Sequence, residues 1–175
     1  MATGTVLLPI EGAIMLVGDA GNEFPGLGLL ETSDASTPKM RLWTLAFDDT
    51  QDETVSFNFR LPADYGSGGV LKVQYYMDSS NSGNVVFRAS LQAITPGDMD
   101  DMESLDPVGE GGGWASATDP VPENLSRLGD LTITLNMDSA AAGDFVALLV
   151  QADVGGWTSS GDMIVVAITL EYTVS

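Results

Sequence analysis

The chain has 175 residues, 44% of them apolar and 20 of them glycine, which suits one domain with a sizeable buried core. Its 25 acidic residues against 6 basic ones give a formal charge of −19, which argues against nucleic acid and anionic membranes as partners. Cys and His are both absent, so disulfides, Cys/His zinc sites and Ser-His-Asp or Cys-His catalysis are excluded.

In chain order, the first apolar stretch covers residues 6–17 and is interrupted by Pro9, Glu11 and Gly12. It is too short to span a bilayer, and no Lys or Arg precedes it as a signal peptide requires. Residues 18–39 carry Gly21, Pro25, Gly26, Gly28 and Pro38 among Phe24, Leu27, Leu29 and Leu30. Residues 1–39 are therefore expected to be an N-terminal arm, or a first strand plus a loop, in front of a β-sandwich domain over 40–175.

From Met40 onward the sequence alternates between apolar and polar residues, the signature of strands buried on one side. Trp43, Leu45 and Phe47 share one face, and Val55, Phe57, Phe59 and Leu61 another. Leu71, Val73, Tyr75 and Met77 stand opposite Lys72, Gln74 and Tyr76, and Val85, Phe87, Ala89 and Leu91 opposite Arg88, Ser90 and Gln92. Leu131, Ile133, Leu135 and Met137 alternate with Thr132, Thr134 and Asn136. Residues 145–152 are apolar on both faces, which predicts a central strand. The last run places Ile164, Val166, Ile168, Leu170, Tyr172 and Val174 inward. Segments rich in Gly, Asn, Asp and Ser separate these runs and read as turns. The result is an all-β, antiparallel two-sheet sandwich of jelly-roll type with about eight strands. Helix is expected only at residues 122–128, capped by Gly129. Residues 95–127 read as a long connection, and with residues 18–39 they are the expected working surface.

The densest acidic cluster is Asp98, Asp100, Asp101, Glu103 and Asp106. Calcium takes such oxygen ligands, but the Gly and the terminal Glu of an EF-hand loop are missing, and a solvated loop is the expectation. Met99, Met102 and Leu105 interleave it at a spacing of three. Asp48, Asp49, Asp52 and Glu53 sit in a strand-to-strand turn, where carboxylates satisfy backbone N–H groups. Gly66, Gly68, Gly69 and Gly109, Gly111, Gly112, Gly113 lack the Lys and Ser or Thr of a phosphate loop and read as turns. Trp114, Trp157 and Tyr65 lie in or beside loops, where they either cover the ends of the sandwich or stack on sugars and partner surfaces. No residue is nominated as catalytic, cofactor-binding or metal-ligating; no cofactor and no enzyme activity are expected.

Four stretches carry a family resemblance: residues 47–57 (FDDTQDETVSF), 61–65 (LPADY) with 68–73 (GGVLKV), 82–87 (SGNVVF) and 138–145 (DSAAAGDF). Together they resemble β-sandwich proteins encoded among the structural genes of tailed bacteriophages. The resemblance covers residues 40–175 and implies a virion component, a capsid decoration (cement) protein. Such a protein would act as a homotrimer bound to the major capsid protein on the outer surface of the capsid. The alternative it implies is a carbohydrate- or receptor-binding jelly-roll module of a head or tail fibre.

Overall fold

The computed structural model describes residues 2–16, 23–31, 39–80, 82–98 and 101–175. Among them are eleven strands in two antiparallel sheets, and the only helical pieces are single 3₁₀ turns at Ile10–Gly12 and Val154–Gly156. The first sheet runs β3 (Gly26–Glu31), β4 (Arg41–Phe47), β11 (Met163–Val174), β6 (Tyr65–Met77), β9 (Gly129–Thr134), with β1 (Thr3–Leu8) also paired to β11. The second runs β2 (Ile14–Met15), β5 (Glu53–Arg60), β10 (Phe145–Ala152), β7 (Asn84–Ile94), β8 (Ala115–Pro120). The protein is thus an all-β sandwich of jelly-roll type.

Alternation in the sequence becomes a two-layer core. From the first sheet come Leu45, Phe47, Leu71, Val73, Tyr75, Leu131 and Ile133, and from the second Val55, Phe57, Val85, Phe87, Leu91 and Leu148, all buried. Phe47 meets Phe87 across the layers edge to face, with centroids 4.9 Å apart, the arrangement favoured by the ring quadrupole. The expected central strand is β10, paired to β5 on one side and β7 on the other. A polar link also crosses the layers: the Tyr75 hydroxyl donates to Asp119 of β8 at 2.6 Å. Burial and the Asp119 carboxylate push the Tyr75 phenol well above its ordinary pKa.

Several expectations need correction. Eleven strands stand among the described residues because short strands escape periodicity: residues 6–15 divide between β1 in one sheet and β2 in the other, and β3 and β8 lie inside stretches read as loops. Residues 122–128 form turns, not a helix. Ser126 there adopts a left-handed φ of 59°, and Gly129 starts β9. Gly66, Gly68 and Gly69 lie within β6, where a Cβ on Gly69 would collide with Met137 Sδ. In β11 the inward set changes midway. Met163 and Val165 are buried while Ile164 and Val166 are only half-buried, and Ile168, Leu170 and Tyr172 are buried again. A register shift between Val165 and Ala167 against β6 inserts the extra residue, and a bulge moves every later side chain to the other parity.

One edge of β11 carries two strands end to end. β4 pairs with Met163–Val165 and β1 with residues 168–173. Between them, at Val166 and Ala167, lies a cleft of about 290 Å³ bordered by Leu7, Ile10, Leu42 and Trp43. At residues 41–44, before Leu45, β4 pairs only with β3, so the two project from the sheet as a ribbon.

Candidate binding site

Outward-facing residues of the second sheet line up by register, with Gln151 of β10 between Thr54 of β5 and Arg88 of β7. Gln151 and Thr54 are buried, and burial requires that their polar atoms be paired. The Gln151 amide donates to Thr54 Oγ1 at 2.6 Å, and its Oε1 accepts the Nε–H of Arg88. Arg88 is the hub. Its two terminal nitrogens reach Asp52, at the β4–β5 turn, at 3.3 Å and Asp153, after β10, at 3.5 Å. The guanidinium carbon lies 4.9 Å from the centroid of the Trp114 ring, a cation–π distance. Asp52 is fixed in turn by the backbone N–H of Val154 at 3.0 Å.

Residues 106–112 fold back onto the neighbouring positions of β7. Ser90 donates to the Pro107 carbonyl at 2.5 Å, and Gln92 Oε1 accepts the Asp106 N–H at 2.8 Å. This docking brings Trp114 beside Arg88. What stands at the surface is a half-buried indole braced by a guanidinium and flanked by two carboxylates. The arrangement offers a flat apolar face beside fixed donors and acceptors.

The remaining loop aromatics are structural. Trp157 stacks on Phe87 at 6.5 Å and its indole N–H donates to the Val86 carbonyl at 2.8 Å. Tyr65 is buried against Tyr172. Trp43, which alternation places in the core, is 45% exposed; at this position β4 has parted from β11 and pairs with β3. In the sequence Arg88 reads only as a solvent-facing strand residue. Its signal was faint: one of only six basic residues, placed mid-strand in an acidic chain.

The acidic turn at residues 48–53 clasps its surroundings. Asp48 accepts the Thr50 N–H at 2.7 Å, Glu53 the Asp48 N–H at 2.7 Å, and Asp49 the Gly161 N–H at 2.6 Å. Oxygens of Asp48, Asp49 and Asp162 lie within 4.8 Å of one another, a donor set that suits a hard cation and that also serves these N–H groups. Partial burial, then the neighbouring charges of Asp78, Asp48 and Asp49, raise the Asp162 carboxyl above its ordinary pKa. Glu53 is raised chiefly by burial.

In the 98–106 cluster, Asp101 and Asp106 accept the N–H groups of Glu103 and Gly109 at 2.9 Å each. Met102 is exposed there, and no helix forms over residues 101–106; Met99 and Asp100 lie outside the described residues.

No family model matches this chain, and no curated protein does. Among solved structures, it is similar to a family 35 carbohydrate-binding module from Cellvibrio japonicus at 11% identity, covering 95% of this chain and 92% of that one, with a TM-score of 0.48. A family 35 module from Clostridium thermocellum is 12% identical, covering 95% and 97%, with a TM-score of 0.44. A β-1,3-glucan-binding family 6 module from Bacillus halodurans is 11% identical, covering 97% and 96%, with a TM-score of 0.45. Overlaps of this depth assign neither a family nor a ligand.

Proposed function

We propose that the chain is a non-catalytic carbohydrate-binding module whose ligand lies against Trp114. The observation that carries this reading is the setting of that indole beside Arg88, Asp52, Asp153 and Gln151. A sugar ring offers an apolar C–H face and a rim of hydroxyls, so it needs a flat aromatic surface with fixed donors and acceptors around it. Both carboxylates are engaged by one guanidinium, which favours holding a ligand over the free acid and base of glycoside cleavage.

The test is titration of a panel of neutral and acidic oligosaccharides against the wild type and Trp114→Ala, with Trp157→Phe as a folded control. Binding by the wild type and the control, with a loss of at least about tenfold in Trp114→Ala, is expected. Absence of binding across the panel, or undiminished binding by Trp114→Ala, would overturn the reading.

A second reading, the virion decoration protein, has one structural feature in its favour: an exposed apolar ribbon at β3–β4, suited to a protein partner. On this reading the partner is a major capsid protein on the outer shell, and co-sedimentation with assembled capsids tests it.

A further inference from the structure

We infer that β3 is a self-association edge, through which two copies of the chain pair antiparallel and extend the first sheet across a two-fold axis. Among the described residues, β3 is the end strand of its sheet and is paired only to β4. An end strand leaves a row of backbone N–H and C=O groups unpaired, and isolated proteins blunt such rows with Pro, mid-strand charge or a bulge. None of these occurs in Gly26–Glu31, whose sequence is GLGLLE and whose register with β4 is unbroken.

Apolar side chains gather where the edge is free. Leu27 and Leu29 are each 47% exposed and share a face with Trp43, while Leu42 on the opposite face is 42% exposed. Isolated exposed leucines are ordinary; a contiguous set on both faces of a projecting ribbon marks a contact surface.

Charge selects a second copy as the occupant. The body of the molecule carries most of the −19 and repels its own kind. Among the described residues, the ribbon end instead holds Lys39 and Arg41, two of the six basic residues, against Glu31 at 2.7 and 2.9 Å. Antiparallel pairing about Gly28 sets Leu27 opposite Leu29 of the other copy, twice by symmetry. It also brings the Lys39–Arg41 end of each copy beside the exposed Glu23 end of the other. Apolar pairs then meet at the centre and opposite charges at both ends, as an isologous interface requires. One free edge closes on one neighbour, so the assembly is a dimer, in contrast to the trimer implied by the family resemblance.

Light scattering on a sizing column across a hundredfold concentration range tests this, expecting a mass that rises to twice 18.3 kDa. Leu29→Lys is expected to remain monomeric throughout, with circular dichroism and thermal midpoint like those of the wild type at dilution. Because the chain contains no Cys, Gly28→Cys gives a thiol at one site only, and under mild oxidation it is expected to yield a covalent dimer. The same replacement at Ser67, on β6, is expected to give no covalent dimer. A wild type that remains monomeric, a trimeric mass, an undiminished dimer in Leu29→Lys, or a Gly28→Cys dimer that does not cross-link would each overturn the inference.

Discussion

Trp157 and Trp114 look equivalent in the sequence, yet the structure assigns them opposite behaviour on truncation. Trp157 packs on Phe87 in the core and donates to the Val86 carbonyl at 2.8 Å. Complete loss of a buried Trp costs about 3–5 kcal/mol. Because Trp157 is only partly buried, Trp157→Ala is expected at the low end, about 3 kcal/mol. For a chain of this size that lowers the thermal midpoint by roughly 6–12 °C. Trp157→Phe keeps most of the ring contact and loses the N–H. The Val86 carbonyl still accepts the Asp153 N–H at 2.9 Å, so this change should cost only about 0.5–1 kcal/mol. Trp114→Ala removes a surface cation–π contact worth about 1 kcal/mol and should leave the midpoint within a few degrees. Urea unfolding followed at two wavelengths measures all three. A Trp157→Ala loss below about 1 kcal/mol, or a Trp114→Ala loss as large as that of Trp157→Ala, would refute the division into structural and binding aromatics.

Other changes test the frame around the site. Gly83 has a φ of +93°, and a Cβ there would lie 2.6 Å from the Thr158 carbonyl oxygen, so Gly83→Ala is expected to cost about 1–3 kcal/mol; unchanged urea stability would contradict the turn geometry. Tyr75→Phe leaves Asp119 without its 2.6 Å donor and should cost about 1.5–3 kcal/mol in the same assay. The raised carboxyls of Asp162 and Glu53 bind protons more tightly folded than unfolded. Their contribution is therefore most favourable below the unfolded carboxyl values and declines as pH rises through the raised folded values. Acidifying from about pH 7 to about pH 5 should accordingly raise the thermal midpoint, and Asp162→Asn should raise it at neutral pH and flatten the response. The exposed Glu31, lowered by Lys39 and Arg41, works in the opposite direction. A midpoint that falls steadily between those pH values would show that the crowded carboxylates are not the controlling groups.

Much of the sandwich was legible because burial imposes a period of two on long strands. β5, β6 and β7 each show it, whereas β10, in the middle of its sheet, is apolar at every position but Gln151. Alternation fails where the backbone departs from regular pairing. The bulge near Val166 exchanges the faces of β11, and a strand of two residues such as β2 has no period to read. Trp43 follows the inward parity of Leu45 and Phe47 but lies where β4 has parted from β11, a tertiary feature that no local pattern encodes. The site was less legible than the fold. Asp52, Arg88, Trp114 and Asp153 are distributed over 102 positions of sequence and meet only through the register of β5, β10 and β7 and the folding back of residues 106–112. Trp114 could be nominated as an aromatic in a long connection. Its bracing by Arg88 could not.

The most direct test of the binding face is an amide and indole NMR map recorded while the best oligosaccharide of the panel is titrated in. The Trp114 indole N–H, the Arg88 side-chain Nε–H and the backbone amides of Gln151 and Asp153 should shift together with one dissociation constant. Saturable shifts confined to β3–β4 or to the Asp48–Asp49–Asp162 cluster, with Trp114 and Arg88 unmoved, would contradict the assignment of function to this face.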